Sequence, residues 1–375
     1  MSNCKLLCLY QVMFQYRVGT YEAISRLPNV DFELWHGTSV AGTKLKNYEG
    51  AVSFRHKVLP TIHAALPVNG RKAIQPYSPF LFFRLVRYNP DVILAEGASS
   101  IIWASVAFLY AKCFRKKFIW WSFGALKGKK YLGVRALAQK WISYVERHVD
   151  AVFTYSSQGE AYFLSIGVPP ERIFKAINVI SMQPKLDEIQ KAGHQEKRPG
   201  FNIAYVGAIT SDKKLDVLVD AAKILGSKHP DIHLHIIGDG PYQKTLEEYA
   251  ATDAADVDIC FHGPASSGLN VLLESFQVFV LPGLGGLAIV EGMLSSLPVI
   301  SGQADGTELD LISPECGFVT DRMTTEYLVE KLSLLYDDPE LAVRMGKCAF
   351  DRITGEFSFE NYMRILASCL DYVAS

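Results

Sequence analysis

The sequence predicts an α/β protein of two doubly wound domains, each a parallel sheet with helices on both faces. At 375 residues the chain is longer than one hydrophobic core usually serves, which predicts two domains. Short apolar segments typical of strands alternate with helical segments, and this alternation favours parallel sheets. Charge divides the chain in the same way. Residues 1–200 hold 27 Lys and Arg against 13 Asp and Glu, a net charge of +14, whereas residues 201–375 hold 11 against 26, a net charge of −15.

The first half begins with the apolar segment LLCLYQV. It has no cleavable small-residue site, so it is typical of a buried first strand and not of a signal peptide. A loop through Arg17-Val18-Gly19 and a helix near 20–27 are predicted next. The half continues with strands at 31–36, 91–97, 117–124 and 150–156, and with helices at 100–112, 132–147 and 157–166.

The second half repeats this alternation after a break. Residues 182–200 are polar and charged, almost without large apolar side chains, and predict a linker. The final segment predicts an amphipathic helix because Phe359, Tyr362 and Leu366 recur at helical intervals. Between them we predict strands at 201–207, 232–240, 257–263, 278–283 and 298–302, helices at 214–227, 241–251 and 268–276, and further helices toward the C terminus.

These boundaries define an N-terminal Rossmann-like domain at 1–181, the linker at 182–200, a second Rossmann-like domain at 201–356 and a C-terminal helix at 357–375. In open α/β sheets ligands bind beyond the carboxyl ends of the strands, so two such domains are expected to face each other across a cleft. Neither half contains GxGxxG, which argues against a nicotinamide or flavin dinucleotide.

The positive charge of the first half concentrates in residues 100–150, where ten Lys and Arg meet only Glu146 and Asp150. Two interpretations of its apolar stretches are open: a core helix and strand joined by a basic turn, or a peripheral contact with an anionic membrane surface. The lysines of Lys127-Gly128-Lys129-Lys130 favour the second. The longest apolar run, about a dozen residues, is too short to span a bilayer. We expect a cytoplasmic protein, either unattached or peripheral at the inner face of a membrane.

The metal-binding residue types offer little pattern. The seven cysteines are scattered without a CxxC pair, and no pair of the nine histidines has metal spacing. His233 and His235 alternate along a strand, which predicts structural roles. The sequence therefore predicts a reducing compartment, no metal site and no organic cofactor.

The segment VFVLPGLGGLAIVEGMLSSLPVI, residues 278–300, carries the clearest functional signal. An apolar strand runs into a glycine-rich turn at Gly283 to Gly286, which opens a helix containing Glu291. Glycines let a ligand approach the backbone closely, and the amide groups at a helix start attract anions, so a diphosphate fits there. Glu291 would accept hydrogen bonds from a vicinal diol. A tight turn with a solvated glutamate is the competing interpretation.

Five ordered motifs between residues 165 and 300 resemble those of the retaining nucleotide-sugar glycosyltransferases of the family 4 type, which have a two-domain B fold, and the resemblance covers nearly the whole chain. The segment just described resembles the family's Glu-seven-residues-Glu motif, and FHGPAS its base-binding loop. The other three segments are SIGVPPERIFKAINVI (165–180), YVGAITSDKKLDVLVDAA (205–222) and IIGDGPYQKTLEEYA (236–250).

The resemblance implies a role for individual residues. Glu291 matches the carboxylate that binds the donor ribose, and Lys213 the lysine that steadies the departing diphosphate, where a cation is sensible because negative charge grows. Gly19 matches a glycine beside the diphosphate, and His262 lies where the family binds the base. Solvated or turn-forming roles are the competing interpretations. The predicted donor-binding set is Arg17, Gly19, Gly207, Gly238, His262, Gly285, Gly286, Leu287 and Glu291.

Two positions depart from the family pattern. The family's first carboxylate falls on Gly283, and the arginine that commonly follows the loop glycine is Ala208 here. The main-chain amides of Gly285, Gly286 and Leu287 are candidates to hold the sugar and phosphates instead. Arg17 is a candidate to replace the missing positive charge.

The expected chemistry is transfer of a sugar from a nucleoside diphosphate to a hydroxyl of a glycan or lipid-linked acceptor, with retention and with assistance from the leaving phosphate. No protein nucleophile is needed, which fits a sequence without a Ser-His-Asp or Cys-His constellation and without a DxD motif in a suitable loop. Glu96, at the end of the strand DVILAEG, is the candidate to meet the acceptor, and Lys213 and Glu96 are the predicted catalytic residues. Backbone hydrogen bonding is the competing role for Glu96.

Three other classes of function remain open. A nucleotide-sugar epimerase has the same architecture but needs no acceptor. The changes at Gly283 and Ala208 fit a silent nucleotide-sugar-binding protein. A nucleic-acid binder is not expected, because the basic half contains no recognisable recognition module.

Overall fold

The computed structural model describes residues 4–41, 43, 45–68, 71–97, 100–124, 134–193, 195–252, 257–265, 268–283 and 286–375. The chain divides into two compact units. Unit 1 comprises Met1–Ala176 and Glu360–Ser375, and unit 2 comprises Ile177–Phe359. The last helix thus belongs to the same unit as the N-terminal half.

Unit 1 is built on a seven-stranded parallel sheet with the order β3-β2-β1-β6-β7-β8-β9. A separate antiparallel hairpin, β4-β5, interrupts the sequence of its strands. The strands are β1 (Cys4–Tyr10), β2 (Val30–His36), β3 (Arg55–Val58), β4 (Ile62–Val68), β5 (Arg71–Tyr77), β6 (Val92–Glu96), β7 (Lys117–Trp121), β8 (Ala151–Thr154) and β9 (Ile173–Lys175).

Helices cover this sheet because its central strands are apolar on both faces, as in β1, where residues 6–10 are all buried. The core on one face is rich in large rings, among them Trp35, Trp103 and Trp120. The helices of unit 1 are α1 (Gln15–Ser25), α2 (Leu81–Tyr88), α3 (Ile101–Cys113), α4 (Val134–His148), α5 (Ser157–Ser165) and α14 (Phe359–Ala374).

Unit 2 is built on a six-stranded parallel sheet with the order β12-β11-β10-β13-β14-β15. Its strands are β10 (Phe201–Val206), β11 (Ile232–Ile237), β12 (Asp258–Gly263), β13 (Val278–Leu281), β14 (Val299–Gly302) and β15 (Gly317–Thr320). Its helices are α6 (Gln183–Ala192), α7 (Leu215–Gly226), α8 (Gln243–Ala250), α9 (Leu269–Glu274), α10 (Ala288–Leu294), α11 (Thr307–Leu311), α12 (Thr325–Asp337) and α13 (Pro339–Thr354).

Each sheet reverses its strand order once, and this reversal positions the candidate site. In unit 1 the order turns between β1 and β6, and in unit 2 between β10 and β13. Loops leaving neighbouring strands diverge at such a point and open a crevice at the carboxyl ends. The segments that follow β10 and β13 contain Lys213 and Gly283, and those at β1 and β6 contain Arg17, Gly19 and Glu96.

The two doubly wound sheets confirm the predicted fold class, but several elements differ from prediction. The segment 182–200, predicted as a linker, contains the helix α6, with Pro184 in its first turn and Gly193 at its C-cap. The segment Arg17-Val18-Gly19, predicted as a loop, lies inside α1, which begins at Gln15. The sequence also gave no prediction for β3, the β4-β5 hairpin, α2, β9 and β15.

None of the helices in the described ranges has both the length and the apolar character needed to cross a bilayer. The cluster Lys127-Gly128-Lys129-Lys130 lies outside the described residues.

Candidate functional site

The carboxyl edge of the unit 2 sheet is assembled from glycines in direct backbone contact. Gly207 follows β10 and Gly238 follows β11, both with positive φ, at +151° and +143°. A Cβ added to Gly238 would lie 1.9 Å from the carbonyl oxygen of Gly207. The Gly238 amide donates to the carbonyl of Gly263, at the end of β12, at 2.8 Å. Three neighbouring strand ends are therefore joined through backbone alone, which leaves main chain exposed to a ligand.

Lys213 and Gly283 meet at the switch point of this sheet. Lys213 ends a 3₁₀ turn, Ser211–Lys213, that follows β10. A Cβ on Gly283 would lie 2.4 Å from the carbonyl oxygen of Asp212 and 2.6 Å from the Cα of Lys213. The backbone of Gly283 therefore packs on the lysine-bearing turn without space for a side chain at this position. This contact gives a steric reason for the absence of the family carboxylate at Gly283.

The glycine turn leads into α10. Gly286 has more space than Gly283, because its added Cβ would come no closer than 3.5 Å to the Asp305 carboxylate. Leu287 is the N-cap residue of α10, and its side chain makes no capping hydrogen bond. Gly285 lies outside the described residues. The buried carboxylate of Glu308 accepts hydrogen bonds from the amides of Ala304 and Gly306, which fixes the neighbouring loop.

Glu291 projects from α10 and is held by a lysine that the sequence did not predict. The Nζ of Lys185, in α6, lies 2.8 Å from both carboxylate oxygens of Glu291. Only 13% of the Glu291 side chain is exposed, against 26% for Lys185. The main chain of Glu291 is also fixed, since its carbonyl accepts a hydrogen bond from Asn270. The predicted ribose ligand is thus oriented by α6 and α9.

His262 lies on β12, where its ring joins that of His235 on β11. The two rings are linked by a 2.9 Å contact between His235 Nδ1 and His262 Nε2. Burial, together with the neighbouring His262, lowers the pKa of His235 to about 4, and burial also lowers the pKa of His262. Both rings are therefore neutral at neutral pH. Contact of His262 with a nucleotide base stays a prediction.

Arg17 is buried inside unit 1, with 3% of its surface exposed. Its guanidinium lies over the ring of Trp121, at 4.5 Å from the ring centroid. Tyr362 of α14 is also close to Arg17. Burial raises the pKa of Tyr362, and the positive charge of Arg17 lowers it by a smaller amount. This packing joins α1, β7 and α14. The observed burial favours a structural role for Arg17, and its contact with a diphosphate stays a prediction.

Glu96 lies where the sequence predicts it, at the carboxyl end of β6, and accepts a hydrogen bond from the hydroxyl of Ser100 at 3.3 Å. It is one of the charges that raise the pKa values of Tyr10 and Tyr16, although burial raises both more strongly. Gly19 is in the second turn of α1 and not in a tight turn. Both residues are at the switch point of unit 1, as a role in ligand binding requires.

A separate cleft of about 830 Å³ lies at the opposite edge of the unit 2 sheet. It is lined near the amino ends of the strands, by residues such as Phe201, Asp231 and Gln277. Because ligands of open α/β sheets bind at the carboxyl edge, this cleft is not the candidate site.

Two features of unit 2 could have been predicted from signals in the sequence. Pro184 and Gly193 bracket a ten-residue segment as helix start and stop signals, which would have placed Lys185 on a helix. The patterns His233-x-His235 and Cys260-x-His262 lie on adjacent parallel strands, so their side chains share one face of the sheet.

The chain matches known proteins most clearly in unit 2. Residues 187–352 match the family model described as glycosyl transferases group 1. An uncharacterized glycosyltransferase of Haemophilus influenzae is 28% identical over 178 residues, which cover 46% of this chain and 50% of that protein. The capsular polysaccharide biosynthesis glycosyltransferase CapM of Staphylococcus aureus is 26% identical over 187 residues, 46% of each chain. The chain spans about half the length of the curated relatives it matches.

Solved structures match over nearly the whole chain. Anabaena Alr3699/HepE in complex with UDP has a TM-score of 0.73 at 14% identity, and its complex with UDP-glucose has 0.69 at 15%. Each covers 98% of this chain and 99% of that chain, a likeness that concerns the fold. The region 187–352 is therefore similar to the glycosyl transferases group 1 family, and the likeness to the solved structures shows that the chain has the two-domain B fold.

Proposed function

We propose that this protein is a retaining glycosyltransferase. It moves a sugar, a hexose in the simplest case, from a nucleoside diphosphate to a hydroxyl of a glycan or lipid-linked acceptor in cell-envelope or exopolysaccharide synthesis. The observation that carries the proposal is the contact between the Gly283 turn and the Lys213 turn at the switch point of unit 2. It places the lysine-bearing turn directly against the Gly283 backbone, at the sheet edge where nucleotides bind in doubly wound folds.

Each part of this edge suits one part of the donor. The main-chain amides of Gly286 and Leu287 offer hydrogen-bond donors to the diphosphate, and Lys213 offsets the charge that grows on the leaving phosphate. The oriented carboxylate of Glu291 accepts hydrogen bonds from the ribose, in exchange for its contact with Lys185. UDP is the nucleotide bound in the HepE structures, and a uridine donor is therefore the first to test.

The reaction that follows needs no covalent intermediate on the protein. The acceptor hydroxyl attacks the anomeric carbon on the face from which the diphosphate departs. A leaving phosphate oxygen takes the hydroxyl proton, and the C–O bond to the diphosphate breaks. Glu96, at the switch point of unit 1, positions the acceptor by accepting a hydrogen bond. Neither metal nor organic cofactor takes part in the proposed chemistry.

Unit 1 presents a surface that suits an acceptor held in a membrane. The α2 face, which we define as Phe80, Phe83, Arg84 and Arg87, is spaced at helical intervals. Phe80 is 70% and Phe83 69% exposed, and both line a shallow cleft of about 570 Å³ together with the two arginines. Phe80 is also a non-glycine residue at a φ of +64°. Exposed aromatic rings beside arginines are typical of a peripheral contact with anionic lipid.

A thermal-shift screen over UDP-, GDP-, ADP- and CMP-sugars tests the donor part. A donor that binds the folded state raises the melting temperature, and we expect this for one nucleotide class. Lys213→Ala should reduce turnover by roughly 10²- to 10³-fold, as for loss of one charge-stabilising group. Lys228→Ala removes an exposed lysine at the other edge of the sheet and serves as the matched control. Failure of every nucleotide sugar to shift the melting temperature would contradict the proposal.

Product analysis then separates transfer from the competing reactions. A transferase consumes donor and acceptor and forms a glycoside with the anomeric configuration of the donor. An epimerase changes the donor without acceptor, and a silent binding protein gives a thermal shift without product. An inverted product would retain the transferase assignment and remove the retaining mechanism.

Flotation with liposomes containing anionic lipid tests the membrane part. We expect binding at low salt that weakens as salt is raised. Phe83→Ser should weaken it, whereas Val343→Ser, which changes an equally exposed apolar residue of unit 2, should not. Equal flotation of both variants would exclude the α2 face as the contact.

A further inference from the structure

The adjacent strands β11 and β12 carry a group of metal-ligating side chains, of which only His262 belongs to the predicted donor-binding set. In the parallel register His233 lies opposite Asp258 and His235 opposite Cys260, with His262 two residues further along β12. Alternate residues of adjacent strands point to the same face, so these side chains share one surface. β12 is the edge strand of the sheet, and the group is therefore reachable from the side.

Three ligand atoms converge in this group. One ring nitrogen of His235, the Sγ of Cys260 and one ring nitrogen of His262 lie within 4.8 Å of one another, and His235 Nδ1 is 2.9 Å from His262 Nε2. Zinc takes imidazole nitrogen at roughly 2.0–2.1 Å and thiolate sulfur at roughly 2.3 Å, so tetrahedral ligand atoms stand roughly 3.3–3.7 Å apart. The observed separations need only small side-chain rotations to reach this geometry.

The hydrogen bonds around His235 present the correct ring nitrogen to this point. Its Nε2 lies 2.9 Å from Oδ1 of Asn202, and the Asn202 amide nitrogen donates to the carbonyl of Pro199 at 3.1 Å. The amide orientation is therefore fixed with its oxygen toward His235, so Nε2 carries the proton and Nδ1 offers its lone pair. A metal-binding histidine is held in this way, with its second nitrogen donating to an oxygen.

We propose that His235, Cys260 and His262 form a zinc site with an N₂S ligand set and a fourth position open to solvent. The Cys260 thiol, which donates to Asp258 at 3.4 Å, loses its proton to solvent when the metal–sulfur bond forms. Without metal, His262 Nε2 donates its proton to His235 Nδ1; when the metal binds, this hydrogen bond breaks, the His262 ring proton moves to Nδ1 by exchange with solvent, and Nε2 becomes the ligand. His262 is exposed and Cys260 half-buried, which gives the ion a path of entry, while His235 is buried and anchors it.

The site would tie the edge strand to the sheet. His262 adjoins Gly263, whose carbonyl accepts the Gly238 amide at the donor edge, and β11 and β12 change register between Ile236 and Ile237. His262 is the residue of β12 left unpaired at this shift, so a metal that bridges the two strands here would hold their ends in place. The site does not depend on the proposed transferase activity.

Metal binding to chelator-treated full-length protein tests the inference directly. Calorimetric titration with Zn²⁺ should give one ion per chain, and at 100-fold excess over Kd the melting temperature should rise by roughly 5–10 °C. Titration with Co²⁺ should give a thiolate-to-cobalt absorption band. Cys260→Ser should abolish that band and weaken Zn²⁺ binding at least 100-fold, and His262→Gln should weaken binding by a similar factor.

The controls remove the same residue types outside the ligand set. Cys113→Ser changes an exposed thiol of unit 1, and His233→Gln changes a histidine on the same strand and face. Both should bind one zinc ion like the unchanged protein. In the unchanged protein, zinc should also protect Cys260 from alkylation, a readout that needs no variant to fold. Absence of stoichiometric binding, or binding that persists in both Cys260→Ser and His262→Gln, would overturn the site.

Discussion

The carboxyl edge of the unit 2 sheet is formed mainly by main chain, whereas that of the unit 1 sheet is formed mainly by side chains. In unit 2 the strand ends meet through backbone, with Gly207, Gly238 and Gly263 in contact across three strands. In unit 1 the corresponding edge is packed with side chains. Tyr10 at the end of β1 lies 5.6 Å from the ring of Trp121 at the end of β7, and Glu96 ends the strand between them.

This difference follows from what each edge is proposed to bind. A diphosphate needs several donors at close range, and main-chain amides supply them without titrating and without side-chain entropy to lose. The hydroxyl group that receives the sugar needs a hydrogen-bond acceptor in a defined orientation and a surface complementary to the rest of its molecule, and side chains provide both. An edge made of glycines is therefore sensitive to any added atom, whereas an edge made of side chains is sensitive to their chemistry.

The largest expected effect is that of Gly238→Ala. The new methyl group would lie 1.9 Å from a backbone oxygen at a φ of +143°, and both the clash and the strain oppose folding. We expect a loss of about 4 kcal/mol in the free energy of unfolding, measured by urea denaturation. Gly97→Ala is the counterpart in unit 1, where the methyl group meets the Trp120 ring at 2.7 Å and a side chain can yield. Gly97→Ala should cost about 2 kcal/mol of stability. If it costs as much as Gly238→Ala or more, the two edges do not differ in their tolerance of an added methyl group.

Unit 1 should in turn show the stronger dependence on side-chain ionisation. Burial raises the pKa of Glu146 to about 7, although Tyr162 donates to its carboxylate at 2.8 Å. In the unfolded chain this carboxyl ionises near its ordinary pKa of 4.5. Its contribution to the free energy of unfolding is therefore fully present below pH 4.5 and is lost as the pH rises through about 7, because only the unfolded state ionises readily in that range. The full loss is about 3 kcal/mol. Glu146→Gln should therefore flatten the melting temperature between pH 5 and pH 8, and an unchanged pH profile would contradict the assignment.

A pair of glycines within one turn separates packing from ligand binding. Gly283→Ala places a methyl group against the Asp212–Lys213 backbone and should cost about 2 kcal/mol of stability. Gly286→Ala meets nothing closer than 3.5 Å and should leave the melting temperature within about 1 °C. If the amides here hold the donor, Gly286→Ala still weakens donor binding in calorimetry. Normal donor binding by a stable Gly286→Ala variant would exclude this turn from the donor site.

The sequence was sufficient for the repeated sheets because parallel strands buried on both faces are continuous apolar runs, as in β1 and β13. It failed where local composition and tertiary context disagree. The strand β3 is exposed along its length, and α6 is polar enough to resemble a linker, although Lys185 and Glu188 on it bind Glu291 and the Gly268 amide. Its helix signals were present in Pro184 and Gly193, but composition outweighed them.

The candidate site divides in a similar way. The motif around Glu291 identifies the edge that a donor would use, because glycines and a carboxylate at fixed spacing reflect local backbone. The partners of Glu291 lie 106 and 21 residues away, Lys185 at its carboxylate and Asn270 at its main-chain carbonyl, and no local pattern connects them. The meeting of His235 with Cys260 likewise depends on strand register, which a single sequence leaves undetermined.

The smallest expected effect concerns the pairing of Lys185 with Glu291, an ion pair between side chains at the carboxyl edge of unit 2. A double-mutant cycle compares Lys185→Met, Glu291→Gln and the double variant. We expect a coupling free energy of about 1 kcal/mol between the two side chains, because both are partly buried and the lysine contacts both carboxylate oxygens. Lys244 and Glu248, an exposed pair in α8, form the matched control, with a coupling expected near zero. The cycle is measured by chemical denaturation without donor and again at a saturating concentration. If Glu291 releases Lys185 to bind the donor ribose, the coupling free energy falls when donor binds. If the coupling free energy stays the same, the carboxylate has a structural role in unit 2 and does not bind the donor.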